Sequence, residues 1–226
     1  MKIGFIGCGN MAKAIIAGLI KTNTFLPEEI IASDNSEKAL SDAKNMYGIN
    51  TTVNNSELVL ESEMILLAVK PQVIASVINE ICDTVSENKI IISIVAGQSI
   101  DRIESLFGRN IKLIRTMPNT PALCGEGMTA VCANGNVTDV ELAYALKILS
   151  SFGKAEVVPE KLMDAVVAVS GSSPAYVAMF IEAMADAAVA EGMPRAQAYT
   201  FAEQAVYGTA KLLIDTKMHP GELKDM

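Results

Sequence analysis

The chain opens with an apolar run that meets two glycines and then a periodic apolar segment. Residues 3–6 are strand-like, Gly7 and Gly9 stand one residue apart, and Ala12 follows three positions after Gly9. In a strand–turn–helix unit the first glycine permits the sharp turn, and the second lets a pyrophosphate approach the backbone. The small third residue lets the helix pack on the strand, and the N–H groups at the helix start attract anions. The turn therefore predicts a dinucleotide site.

Apolar runs alternate with helical periods along residues 1–159. The continuous run 64–69 is typical of a buried parallel strand, and similar extended runs occur at 29–34, 49–52, 90–94, 111–116, 128–132 and 155–158. This alternation predicts an α/β fold, a Rossmann-type doubly wound parallel sheet whose strands end at one ligand-binding crevice.

Strand signals vanish after residue 160. Residues 160–226 are predicted to form a smaller all-α domain with helices over 174–191 and 194–217. The first of these is apolar nearly all round, which is typical of a buried helix. Because so short a helical tail offers little of its own to cover it, we expect it to pack against a second subunit, in a homodimer or higher homo-oligomer.

Composition excludes several classes. The net charge of −8 argues against nucleic acid and anionic membranes, and no stretch of about 18 residues is free of charge, so no membrane span is expected. Four well-separated cysteines and one histidine predict neither a disulfide framework nor a metal site. The cytoplasm is the expected compartment.

The residues that end the second predicted strand bear on the choice of cofactor. Asp34 is suited to accept hydrogen bonds from both hydroxyls of an adenosine ribose, which favours NAD(H). Ser33, Asn35 and Ser36 are suited to donate to a 2′-phosphate, which favours NADP(H). A third interpretation is that Asp34 or Ser36 only caps the following helix.

A nicotinamide cofactor implies hydride transfer, and a carbonyl substrate also requires a general acid or base. The helix over 174–191 contains no lysine, histidine or arginine. A protonated cyclic imine accepts hydride at carbon without such a group, so the sequence leans towards C=N reduction. It gives no catalytic residue. A β-hydroxyacid dehydrogenase is disfavoured by the lysine-free helix, whereas another imine reductase stays an alternative.

Several motifs together resemble pyrroline-5-carboxylate reductases, collinearly from residue 2 to residue 225. They lie at residues 5–12, 68–72, 115–121, 170–176 and 219–225. The resemblance implies reduction of 1-pyrroline-5-carboxylate to L-proline, with NADPH as cofactor and NADH as a possible substitute.

The resemblance also implies two sets of site residues. Those expected at the cofactor are Gly7, Cys8, Gly9, Asn10, Met11, Ala12, Ser33, Asp34, Asn35, Ser36, Asn55, Ala68, Val69, Lys70, Pro71, Ala96 and Gly97. Those expected to border the substrate are Asn119, Thr120, Pro121, Ser170, Gly171 and Ser172.

Two features depart from the family pattern. Ser173 stands where the family usually has glycine, so a loop that needs a positive φ there is expected to be strained. The family's chains also continue into a substrate-binding loop and further helices, and this chain stops at Met226. We therefore expect a C-terminally truncated member, with the alternative of a catalytically impaired homologue that binds NADP and acts by pairing.

Overall fold

The computed structural model describes residues 2–226, which divide into two compact units. The sheet unit ends at Gly171, and the helical unit runs from Ser172 to Met226. The predicted domain boundary at 159/160 lies earlier in the chain than this division. Each unit is described separately below.

The sheet unit is built on one eight-stranded sheet in the order β3-β2-β1-β4-β5-β6-β7-β8. Its strands are β1 (Ile3–Ile6), β2 (Ile30–Ser33), β3 (Asn50–Thr52), β4 (Met64–Leu67), β5 (Ile90–Ser93), β6 (Lys112–Met117), β7 (Gly127–Ala133) and β8 (Gly153–Val157). Every pair of neighbours is parallel except β6 and β7.

The antiparallel β7 corrects the prediction of a parallel sheet. Residues 118–126 join β6 to β7, and a parallel crossover needs about a dozen residues or more. The chain therefore turns back beside the strand it has just left. The alternating order of the preceding elements confirms the doubly wound part of the prediction.

Helices flank the strands. They are α1 (Asn10–Lys21), α2 (Glu37–Tyr47), α3 (Asn55–Glu61), α4 (Ile74–Ile81), α5 (Ile100–Phe107), α6 (Asp139–Leu149) and the short α7 (Met163–Val166). A π-helical turn, Val167–Gly171, ends the unit. Short 3₁₀ turns occur at Pro27–Glu29, Thr120–Cys124, Ser150–Phe152 and Glu160–Leu162.

The central strands are buried on both faces. All residues of β1, β2, β4 and β5 are buried. Phe5, Ile15 and Phe152 belong to one apolar cluster, and Ile65 and Ile78 belong to a second. The sheet unit thus closes a core of its own.

The helical unit contains α8 (Ser173–Ala190), α9 (Arg195–Thr216) and α10 (Pro220–Asp225). Ser173 begins α8, and in residues 2–226 the only non-glycine residues with positive φ are Asn23 and Lys217. The expected strain at Ser173 is therefore absent, because the position has become the first residue of a right-handed helix.

None of the large apolar side chains of the helical unit is buried, and about half of them are exposed. Tyr176, Phe180 and Phe201 are each about 60% exposed. The helical stretch Glu160–Ala190 also meets the length and composition of a membrane span, with a mean hydropathy of 1.3 and none of that window buried. A core helix or a helix that packs on a second subunit has the same composition, so this test alone is weak support for a membrane.

Candidate functional site

A cleft of about 350 Å³ lies at the carboxyl ends of β1, β2 and β4 in the sheet unit. This is the edge at which the sequence predicted the ligand-binding crevice. Its walls are formed by Ile6, Gly7, Gly9, Ser33, Asp34, Asn35, Asn55, Ala68, Val69, Lys70, Val73, Ser76, Val77 and Glu80.

The two glycines of the first turn, Gly7 and Gly9, have different roles. Gly7 has φ +98°, and a Cβ there would lie 2.4 Å from the carbonyl oxygen of Ala68, so only glycine fits. Gly9 has an ordinary φ of −78°, and a Cβ there would meet nothing within 4 Å. The fold therefore requires Gly7, whereas the space beside Gly9 is open to a ligand.

The start of α1 is suited to a pyrophosphate. Gly9 caps the helix without a side-chain hydrogen bond, and the first turn, which includes Asn10 and Met11, carries no acidic residue. Its N–H groups and the positive end of the helix dipole therefore point towards the open side of Gly9. Ala12 is buried as predicted, so α1 packs closely on the sheet.

Asp34 ties two loops together. The Cys8 N–H donates to its Oδ2 atom at 2.8 Å, and the Ser36 N–H donates to its Oδ1 atom at 2.8 Å. The Ser36 hydroxyl in turn accepts from the Ala39 N–H at 3.2 Å and caps α2. The helix-cap interpretation thus holds for Ser36, while Asp34 holds the glycine turn against the loop after β2.

Glu80 is a cleft residue that the sequence analysis missed. The Ser33 hydroxyl donates to Asn55 Oδ1 at 2.6 Å, and Asn55 Nδ2 donates to Glu80 Oε2 at 2.8 Å. Asn55 therefore lies in the cleft with its amide held on both sides. The signal was the 3–4 spacing of Val73, Ser76, Val77 and Glu80 directly after the strand-end Lys70, which places them on one helical face.

Not every predicted cofactor residue lines the cleft. Cys8 is buried, and burial raises the pKa of its thiol, so the side chain is a packing group behind the turn. Pro71, Ala96 and Gly97 are not among the residues that line it. Gly97 has φ +71° and allows the turn after β5.

Of the predicted substrate residues in the sheet unit, Asn119 contacts Ser170 in the π-helical turn. Asn119 precedes the 3₁₀ turn that contains Thr120 and Pro121, and it is buried. Its Nδ2 atom donates to Ser170 O at 3.1 Å and to Ser170 Oγ at 3.3 Å. A Cβ on Gly171 would lie 2.7 Å from Met117 Cε, so this residue packs on β6. Ser172 belongs to the helical unit.

A largely buried ion pair connects three segments of the sheet unit. Arg115 lies within β6, its guanidinium is 2.8 Å from Glu160 Oε1, and its side chain is only 13% exposed. The same carboxylate oxygen accepts from the Ile100 N–H at the start of α5. The pair thus joins β6, α5 and the segment that leads into α7.

Comparison with known proteins gives matches in both parts of the chain. A family model described as NADP oxidoreductase, coenzyme F420-dependent, matches residues 2–97, and one described as pyrroline-5-carboxylate reductase dimerisation matches residues 160–226. The chain is 49% identical over 225 residues to the pyrroline-5-carboxylate reductase of Escherichia coli K12, covering 100% of this chain and 84% of that reductase. The corresponding Methanosarcina acetivorans reductase is 44% identical, with 100% and 83% covered.

A solved structure agrees with these relatives. The crystal structure of Plasmodium falciparum pyrroline carboxylate reductase with NADP bound has a TM-score of 0.91 and 34% sequence identity, covering 100% of this chain and 83% of that one.

Proposed function

Because this chain belongs to the pyrroline-5-carboxylate reductase family, we propose that it reduces 1-pyrroline-5-carboxylate to L-proline with NADPH as the hydride donor. The observation that carries the proposal is the open start of α1 beside Gly9, in a chain that is similar over its whole length to reductases of this name. When bound there, the cofactor supplies the hydride.

The protein's part is to bind and orient rather than to move a proton. Helix α8 contains no lysine, histidine or arginine, so it offers no general acid of those types. A cyclic imine that arrives protonated needs none, since its iminium carbon accepts hydride directly.

The proposed preference for NADPH rests on similarity to a relative with NADP bound and to an NADP oxidoreductase model. Asp34 and Glu80 are two carboxylates in the cleft, and their charge disfavours a 2′-phosphate. NADH is therefore the alternative.

Comparing kcat/KM for both cofactors in wild type and Asp34→Ala separates the effect of the Asp34 charge on a 2′-phosphate from the effect of Asp34 on the glycine turn. A rise of about tenfold in the NADPH/NADH ratio means that the charge acts on the phosphate. An unchanged ratio with weaker binding of both means that Asp34 acts only on the turn.

We also propose that residues 160–226 form a dimerisation and substrate domain. The dimerisation model matches this range, and the exposed aromatic side chains of α8 and α9 need a partner surface. We place the protein in the cytoplasm, because its four cysteines are free thiols, as is usual in a reducing compartment.

Incubation of the purified chain with NADPH and 1-pyrroline-5-carboxylate tests the activity. We expect one proline formed for each NADPH oxidised. Gly9→Ala is the matched control, because its Cβ would enter the space beside α1 without meeting a protein atom within 4 Å, and it should fold but turn over more slowly. A protein that binds NADPH and forms no proline would instead support the impaired, pairing homologue. Faster reduction of a different cyclic imine would support another imine reductase.

A further inference from the structure

Asn55 is held in the cleft by one contact on each side of its amide group. The buried Ser33 hydroxyl donates to Asn55 Oδ1 at 2.6 Å, and Asn55 Nδ2 donates to Glu80 Oε2 at 2.8 Å. Because a carboxylate only accepts hydrogen bonds, Glu80 fixes the amide with its nitrogen towards α4 and its oxygen towards β2. The single hydrogen of the Ser33 hydroxyl is then committed to Asn55.

Two hydrogen-bonding groups of this network remain open. Asn55 Nδ2 carries a second hydrogen, and Glu80 Oε1 accepts from no donor found in residues 2–226. Both residues line the cleft of about 350 Å³, and Glu80 is exposed. The cleft therefore offers one donor and one acceptor side by side.

Asp34, the other carboxylate of the cleft, is committed to the backbone. Each of its oxygens accepts an N–H group, one from Cys8 and one from Ser36. Asp34 follows the end of β2, where a doubly wound sheet places the adenosine ribose of a dinucleotide. The contacts of Asn55 join this strand end to Glu80. Glu80 is thus the carboxylate that has an open oxygen near the expected ribose.

A donor beside a carboxylate oxygen matches a hydroxyl group better than a phosphate. A ribose hydroxyl can accept from the Asn55 N–H through its oxygen and donate its own hydrogen to Glu80 Oε1. A 2′-phosphate can also accept from Asn55, but it brings its negative charge next to Glu80. The arrangement therefore discriminates between the two cofactors at the atom by which they differ.

We propose that Glu80 is a specificity-determining residue, which accepts a hydrogen bond from the 2′-hydroxyl of the adenosine ribose and thereby lets NADH compete with NADPH. Asn55 is its donor partner. This inference rests on the proposed function, since it takes the cleft to be the cofactor site. It assigns to α4 the ribose-binding carboxylate that the sequence analysis expected at Asp34.

Glu80→Gln is the discriminating variant. Its amide oxygen can keep the bond with Asn55, while its NH₂ group replaces the open acceptor by a donor and removes the charge. The dissociation constants of both cofactors are measured by titration of the nicotinamide fluorescence, without the imine. We expect the value for NADH to rise about fivefold and the value for NADPH to fall about fivefold. A loosened contact between α3 and α4 cannot give these opposite changes, because it would weaken both cofactors.

Asp83→Asn is the matched control. It removes an equal charge from an exposed carboxylate just beyond the end of α4 that does not line the cleft, and both dissociation constants should stay within about twofold of wild type. Unchanged values in Glu80→Gln, equal weakening of both cofactors, or the same shift in Asp83→Asn would overturn the inference. A wild-type chain that binds both cofactors and forms no proline rejects the proposed activity instead, which is a separate outcome.

Discussion

The sheet unit and the helical unit differ in how far they bury their own apolar side chains. In the sheet unit, four strands are buried along their whole length and two apolar clusters cover both faces of the sheet. In the helical unit, the buried residues are the alanines Ala185, Ala198 and Ala202, while the large side chains lie outside. The first unit is complete within one chain, whereas the second has small residues inside and its aromatic residues where a second chain can reach them.

This difference separates two kinds of sequence signal. Alternation of strands and helices describes a core that the chain builds with itself. An apolar helix such as α8 indicates a surface that is to be buried, but its sequence does not indicate what covers that surface. We therefore expect the helical unit to depend on association in a way that the sheet unit does not, and the following variants test that contrast.

The largest effect is expected at Phe180, which is 59% exposed on α8. Phe180→Glu places a charge in the proposed subunit interface, and in a symmetric dimer it does so twice. Losing such an aromatic anchor weakens association by about 100-fold or more, so light scattering should show monomers at micromolar concentration. Val140→Glu is the control, since Val140 is 80% exposed in the sheet unit and should leave the oligomer intact. Dissociation by both variants, or by neither, would contradict the proposal that the helical unit, and not the sheet unit, forms the subunit interface.

The next effect compares two glycines of one turn. Gly7→Ala combines a positive φ with a Cβ placed 2.4 Å from Ala68 O, and should lower the free energy of unfolding by about 2–4 kcal/mol. Gly9→Ala meets no protein atom and should change it by less than about 0.5 kcal/mol. The second variant should still weaken NADPH binding about tenfold, as measured by fluorescence titration. Equal destabilisation by both would mean that Gly9 serves the fold rather than a ligand.

A smaller effect compares the ion pairs of the two units. Arg115→Met leaves Glu160 without its cation in a mostly buried setting and should cost about 2 kcal/mol in urea unfolding. Arg195→Met removes the partner of Asp186 in the helical unit, where both side chains are about half exposed, and no measurable change is expected. A larger loss at Arg195 would show that this pair is covered in the assembled protein.

The smallest effect concerns the start of α6. The ammonium group of Lys112, 2.6 Å away, holds the pKa of Glu141 below its ordinary value of 4.5, and the Thr138 N–H adds to this. A carboxyl group with a lowered folded pKa stabilises the protein above its unfolded pKa, and that contribution is lost as the pH falls through the folded value. Glu141→Gln should therefore cost about 0.5–1 kcal/mol at pH 7 and progressively less below pH 4.5. The exposed Glu156→Gln serves as control, and a pH-independent loss at Glu141 would contradict the assignment.

Much of the sheet unit was predictable because its signals are local. The Gly7 turn, the buried strands and the strand-end residues of the cleft all follow from spacing within a few positions. The direction of β7 was not predictable from its own composition, since an extended pattern is the same in both directions. It followed instead from the length of the connection after Met117.

The candidate site was predictable in outline but not in its bonding. Asn119 and Ser170 lie 51 positions apart, and no pattern in either segment indicates that one amide holds the other's hydroxyl. The helical spacing after Lys70 indicates that Glu80 faces the cleft, but its contact with Asn55 joins two helices and was not predictable for the same reason. Ser173 shows the reverse error, in which a family comparison predicted strain that the helix start removes.

The double contact of Asp34 has a consequence for any attempt to change the cofactor. One carboxylate accepts hydrogen bonds from the Cys8 N–H in the turn proposed to bind the pyrophosphate and from the Ser36 N–H in the loop proposed to face the ribose. A substitution of Asp34 made to admit a 2′-phosphate therefore also releases the Cys8 N–H. Selectivity between NADPH and NADH and affinity for the pyrophosphate should then change together. Variants at position 34 will be epistatic with the glycine turn, and an evolutionary switch of cofactor has to pass through both loops at once.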